Sequence, residues 1–306
     1  MIKSYFRKQV ELLLDVLPVI LNADSKFALK GGTAINLFYQ DIPRLSVDID
    51  LAYSLLSERS IFLEDLSDFI NKSTLKLVQL GLKVEVKSTN EKIAKQMLVS
   101  SKDAVIKIEP NLIIRGTVYP TKINALSKVV EQQFQKSMKI MTLSFEDLYA
   151  GKFCAALDRQ HPRDLFDIKV FFERYKSIPQ ELKEAFIVYL LSHNRPINEL
   201  LNPNLLNHRE SLYAKEFLGM TDRDISYDDL CCARQELINK LTESFSDQNK
   251  KFILSFKSGE PDWSLLNIKH ARNLPAIKWK LHNINTMEVS KRSVMLNRLE
   301  RILNVK

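Results

Sequence analysis

The stretch Phe27 to Ala52, FALKGGTAINLFYQDIPRLSVDIDLA, constrains the fold more than any other part of the chain. Only 7 glycines occur in 306 residues, and two of them stand side by side at Gly31 and Gly32. Phe27-Ala28-Leu29 reads as a short buried strand that this pair stops. A helix is predicted from Thr33 through Tyr39, with Thr33 near its N-cap and Pro43 closing it. Leu45 to Ala52 then alternates apolar and polar residues, the period of two of a half-buried strand, so Ser46, Asp48 and Asp50 share one face.

The same alternation of elements continues to about residue 176. Helical spacing covers 5–21, where Pro18 bends or ends the segment, and 58–80. Residues 82–87 alternate again, and 104–108 with 112–114 form two strands or one strand bent at Pro110. Helices are predicted at 121–135, 144–159 and 162–175. Beyond 176 the apolar patterns at 180–192, 208–218, 226–255 and 288–304 are all helical, with no strand signal. Candidate joints lie at Ser177-Ile178-Pro179 and Asn194-Arg195-Pro196. The expected organisation is a mixed α/β (α+β) domain over 1–176 and an α-helical domain over 177–306.

A hydrophobic content of 45% supplies a sizeable core for such a chain. No apolar run approaches the roughly 20 residues of a membrane span, and the N-terminus does not read as a signal segment, so a cytoplasmic protein without membrane partners is expected. Cys154, Cys231 and Cys232 form no CxxC pair and are expected to be buried thiols in a reducing compartment. The formal charge of +8 and pI near 9.2 favour polyanionic partners such as nucleotides or nucleic acid.

Glycines leading into a helix let a ligand approach the backbone, and the first-turn N–H groups and helix dipole favour phosphate. Thr33 adds a hydroxyl. Asp48 and Asp50, projecting side by side, suit Mg²⁺, a hard cation that prefers carboxylate oxygen. Glu109, in VIKIEPN, is placed to supply a third carboxylate from a neighbouring strand. Taken singly, a glycine pair is also a turn, and two acids on a strand also simply face solvent. Their fixed order within one compact window favours the site.

A second constellation lies in LSFEDLYAGKFCAALDRQHPRDLFDIKVFFERY. Ser144 caps a helix with Asp147 three residues on. Lys152 and Arg159 fall on one helical face, with Ala155 and Ala156 between them. Pro162 suits the first turn of the next helix, on which Asp164 and Asp167 share a face. By itself this pattern reads as a salt bridge between two packed helices, or as a lysine that neutralises phosphate beside an acid that orients it.

These motifs resemble the nucleotidyltransferase superfamily, and more closely the AbiEii family of nucleotidyltransferase-like toxins of type IV toxin–antitoxin systems. Gly31, Gly32, Thr33, Ala34, Arg44, Ser46, Asp48, Ile49 and Asp50 match its first motif. Leu45 departs from the usual aromatic at a position expected to face the core. Lys107 and Glu109 match Lys-x-Glu, Arg115-Gly116 follow, and Lys152, Arg163, Asp164 and Asp167 match the lysine helix and Arg-Asp-x-x-Asp. RPINELLNPN, FLGMT, SFKSGEPDWSLL and LPAIKWKLHNI extend the resemblance over nearly the whole chain.

The resemblance implies a small mixed sheet flanked by helices, followed by an α-helical domain. It implies Mg²⁺-dependent transfer of a nucleoside monophosphate from an NTP to an acceptor hydroxyl, the 3′ end of a tRNA, blocking aminoacylation, translation and growth. Asp48 and Asp50 would hold two Mg²⁺, with Glu109 as a third ligand. Gly31, Gly32, Thr33 and Ser46 would bind the nucleotide, Lys152 would meet its phosphates, and Asp164 would position Lys152 or the nucleophile. Arg44, Arg163 and Asp167 would support them. The implied partner is an antitoxin with a winged-helix DNA-binding domain, in a system linked to phage defence. Three alternatives stay open: nucleotidyl transfer to a protein hydroxyl, GTP or other NTP binding without turnover, and a helical interaction protein with an incidental acidic strand.

Trp263 and Trp279 are expected to be core anchors. From Asp262 onward Lys and Arg outnumber Asp and Glu, which reads as a tRNA-facing surface or a solvated face. The five histidines, His161, His193, His208, His270 and His282, show no metal-ligand spacing. No Ser-His-Asp arrangement, Walker A motif or kinase-like lysine context occurs, which argues against nucleophilic hydrolase chemistry.

Overall fold

The computed structural model describes residues 2–21, 25–206 and 209–305. The chain forms two compact units, Met1–Leu148 with Leu218–Asp224, and Tyr149–Phe217 with Ile225–Lys306. The fold is mixed α/β, as its strand and helix patterns predict.

The first unit is built on a seven-stranded sheet in the order β3-β4-β5-β2-β1-β7-β6. Its strands are β1 (Phe27–Lys30), β2 (Asp48–Tyr53), β3 (Lys83–Ser88), β4 (Ala94–Ser100), β5 (Val105–Arg115), β6 (Lys122–Ala125) and β7 (Lys139–Thr142). β2 lies antiparallel to β1 and parallel to β5, which puts Asp50 opposite Lys30 on one side and Glu109 on the other. The helix α1 (Ser4–Ile20) buries Val10, Leu13, Val16 and Leu17, and ends two residues after Pro18. After α2 (Gly31–Ala34) comes α3 (Arg59–Gln79), which turns Phe62, Leu66, Ile70 and Leu77 inward at spacings of four and seven. Phe62 meets Tyr53, and Tyr53 meets Phe27, edge-on at ring separations of 5.1 and 5.4 Å.

Residues 105–115 are one strand that runs through Pro110. The β4 ladder on β5 reaches only Ile108, so Pro110 stands past the end of that pairing, where its missing N–H breaks no β4 bond. The helix expected over 121–135 divides: residues 122–125 pair with β7 as strand β6, and only Lys128–Phe134 is helical (α4). Strands β4 and β7 were not anticipated. Thr33 is not an N-cap, because the helix starts at Gly31 and passes directly into a π-helical stretch, Ile35–Tyr39.

The second unit is helical, with no strand among its described residues. It contains most of α5 (Phe145–Asp158), α6 (Pro162–Arg174), α7 (Gln180–Ser192), α8 (Ile197–Leu201) and α9 (Glu210–Glu216). There follow α10 (Tyr227–Ser244), α11 (Asp247–Ser258), α12 (Pro275–Asn285) and α13 (Val289–Ile302). Its core is aromatic: Phe171 lies 4.8 Å from Tyr149 and 5.2 Å from Phe153 between ring centres. The single helix expected over 226–255 is broken at Phe245–Ser246, where Ser246 and Asn249 form a capping box for α11. Position 208, the start of another expected helix, and His208 lie outside the described residues.

Two expectations of burial fail. Trp263 packs half-buried against Phe252 and Phe256, but Trp279 is 64% exposed, because the inward face of α12 is already filled by Ala276, Ile277 and Ile284. Of the free cysteines only Cys154 is buried; Cys232 is exposed on α10, whose inward face carries Leu230, Ala233 and Leu237. Leu45 does face the core. No described helix is long and apolar enough to cross a membrane.

Candidate active site

In the first unit, the turn from β1 into α2 requires its glycines. Gly31 has φ +72°, and a Cβ there would fall 2.2 Å from Asp50 Oδ2. A Cβ on Gly32 would fall 2.7 Å from an Arg44 guanidinium nitrogen and 3.0 Å from Ser46 Oγ. Bare backbone therefore lies directly against the side chains of Asp50, Arg44 and Ser46. Arg44 is buried and donates to its neighbour's carbonyl at Leu45 (2.9 Å). Buried Thr33 is hydrogen-bonded to Ser46 Oγ (3.0 Å) and to the backbone carbonyl of Asp48 (2.5 Å), fixing the start of β2 against α2. Asn36 donates to the Gly32 carbonyl at 2.8 Å.

Asp48 and Asp50 are partly exposed and lie on one face of β2. Lys107 Nζ approaches Asp48 Oδ1 at 4.0 Å. Glu109 is the register partner of Asp50 on β5, and its carboxylate accepts from Gln96 Nε2. Among the described residues no group of three or more His, Cys, Asp or Glu is assembled that could hold a metal ion. The oxygen-only pair Asp48 and Asp50, beside a glycine backbone that leaves room for a ligand, nonetheless has the donor chemistry that a hard divalent cation requires.

In the second unit, Lys152 of α5 reaches Asp164 Oδ1 (2.7 Å) and Asp167 Oδ2 (2.8 Å) of α6, and all three side chains are almost completely buried. Arg159, largely exposed, closes on Asp164 through Nε (2.6 Å) and a terminal nitrogen (3.2 Å). Burial pushes the Asp164 pKa up, but the charges of Lys152 and Arg159 and their hydrogen bonds outweigh it and hold this carboxylate well below the usual range. The cluster is the salt bridge between packed helices that the spacing suggested. Arg159 was placed on the right face by its spacing from Lys152, but its pairing with Asp164 was not foreseen.

The Arg163 guanidinium lies 3.8 Å from Glu216 of α9. His161 caps α6, its Nδ1 accepting from the Arg163 N–H, so the other nitrogen carries the proton toward Glu216 (3.1 Å). Asp147, expected only as part of a cap, also accepts from the Val118 and Tyr119 N–H groups (2.9 and 2.8 Å). That second role depends on a loop 28 residues away, which local spacing does not reveal.

Residues 19–283 match the family model described as nucleotidyl transferase AbiEii toxin, type IV TA system. The chain belongs to the AbiEii family. It is thus a nucleotidyltransferase of a toxin family, whose substrate is an NTP and whose toxins are paired with antitoxins. Among solved structures, this AbiEii chain is similar to MenT4, nucleotidyltransferase toxin Rv2826c from Mycobacterium tuberculosis H37Rv. That match has 16% identity, covers 92% of each chain and has a TM-score of 0.59, which establishes likeness of fold. No curated protein matches the chain.

Proposed function

We propose that this AbiEii protein is a Mg²⁺-dependent toxin that moves a nucleoside monophosphate from an NTP onto the 3′ hydroxyl of tRNA, releasing pyrophosphate. The observation that carries the reading is the pairing of Asp48 and Asp50 on one strand face with the bare backbone of Gly31 and Gly32. In this reading Asp48 and Asp50 would hold the metal, and Glu109, engaged by Gln96, would support Asp50 from β5. Divalent metal, when bound, activates the attacking hydroxyl and offsets charge on the leaving pyrophosphate. Gly31, Gly32 and Thr33 present the nucleotide-binding backbone, Ser46 holds Thr33, and Arg44 supports the turn.

Lys152, Asp164 and Asp167 contribute as a buried, internally neutralised ion cluster that fixes α5 against α6, with Arg163 in support through Glu216. The basic charge of the chain favours an RNA acceptor, and a winged-helix antitoxin, a cytoplasmic setting and a part in phage defence accompany the reading. The test incubates purified protein and Mg²⁺ with each labelled NTP, adding total RNA or total protein, beside Asp48→Asn. Label on small RNA that Asp48→Asn reduces at least a hundredfold supports the proposal. Label on protein, or bound NTP with no transfer, overturns it.

A further inference from the structure

One large aromatic side chain in the second unit has no structural reason to be where it is. Trp279 is 64% exposed on the outer face of α12, while Ala276, Ile277 and Ile284 fill the inner face. Lys278, His282 and Asn283 are exposed on the same outer face. The His282 ring stacks on Trp279 at 5.8 Å between centres and 27° between planes, which steadies the indole and leaves the rest of it open. Lys280 offers a contrast. Its Nζ turns away to donate to the carbonyls of His193 (2.6 Å) and Arg195 (2.9 Å), so it belongs to the packing of the unit.

The sequence that carries this platform is basic. Residues 262–306 contain nine Lys and Arg against three Asp and Glu, and so supply six of the chain's net +8. Fixed aromatic rings bordered by cations are how proteins bind single-stranded nucleic acid: an unpaired base offers a π-face to the ring, and the backbone phosphates meet the cations. A duplex keeps its base faces inside the stack, so the same surface discriminates against it.

We propose that the outer face of α12 is a docking surface for single-stranded RNA, with Trp279 as the base-stacking platform and Lys278 as a phosphate contact. The identity of the RNA as the unpaired end of the acceptor rests on the function proposed above; the docking surface itself does not.

The test uses the full-length protein and a labelled 12-nucleotide single-stranded RNA, with its annealed duplex as control, read by fluorescence anisotropy. Trp279→Ala is expected to weaken single-strand binding about tenfold, and Trp279→Phe, which keeps a ring, to retain most of it. Lys278→Gln is expected to reduce the slope of log K against log salt by about 0.7. In a Trp263→Phe background the remaining indole reports directly, and single-stranded RNA quenches it without any change at position 279. Unaltered affinity in Trp279→Ala, equal binding of the duplex, or quenching by anionic phospholipid vesicles but not by RNA overturns the inference. The transfer assay separates the two claims. Wild type that binds through Trp279 yet labels no RNA overturns the proposed function alone. RNA labelling with an unchanged KM in Trp279→Ala overturns the docking surface alone.

Discussion

Gly31 shows how narrowly the first motif is specified. Its φ of +72° disfavours any side chain, and a Cβ would collide with the Asp50 carboxylate. Gly31→Ala is therefore expected to cost about 1–3 kcal/mol of stability and to displace Asp50, with loss of nucleotide transfer; urea unfolding beside the labelling assay measures both. Asp164 makes a second case. Asp164→Asn leaves Lys152 with one carboxylate in a buried site, an expected loss of about 3–5 kcal/mol. The pH dependence follows from the lowered pKa of Asp164. As pH falls below about 4 the unfolded chain takes up this proton before the folded one, so the stabilisation present above that pH is lost toward the lower folded value. Urea midpoints between pH 5 and 2 should decline less steeply in Asp164→Asn than in wild type.

At the level of elements, caps decide boundaries that hydrophobic spacing leaves undefined. Apolar periodicity runs on from α10 into α11, and the break comes from Ser246, whose hydroxyl accepts from the Asn249 N–H. Ser246→Ala is expected to cost about 1 kcal/mol, read by thermal unfolding. Lys280 closes the far end of α7, and burial, with help from Lys257, lowers its pKa to about 8. Between about pH 8 and 10.5 the unfolded chain holds a proton there that the folded chain has released, so this residue makes stability rise with pH across that window. Lys280→Met should remove that part of the rise. The strand β2 and the glycine turn were legible because Asp48, Ile49, Asp50 and Leu51 alternate and Gly31 allows little else. β6 and β7 were not. Four residues such as Lys-Ile-Asn-Ala have no decisive period of their own, and their pairing with each other and with β1 settles their state. The position of Trp279 was equally hidden, since hydrophobicity does not reveal that Ile277 and Ile284 already fill the inner face of α12.

For the molecule as a whole, the excess of eight positive charges, together with the proposed transfer to RNA, predicts that salt acts on the RNA step more than on the NTP step. Raising salt from 50 to 200 mM should increase the KM for RNA at least tenfold and move the KM for NTP less, as read by the labelling assay. The residues of both motifs were readable in the sequence, whereas the seat of Leu218–Asp224 in the first unit was not, because nothing local announces a return across so long an interval. Hydrogen bonds tie that segment in, among them one from the Ile2 N–H to the Asp222 carboxylate (3.0 Å). The Met220 carbonyl accepts from the Leu45 N–H (2.7 Å), the Gly219 carbonyl from the Lys3 N–H (3.0 Å), and Thr221 donates to the Pro43 carbonyl (2.8 Å). The backbone that carries Arg44 against the glycine turn is thus pinned by a residue 178 positions after Pro43. A ribosome making this protein emits the cradle early and its fastening late. Until Asp224 has cleared the exit tunnel that fastening is missing, so the glycine turn is backed in its final form only after the long interval between Pro43 and Thr221 has been translated.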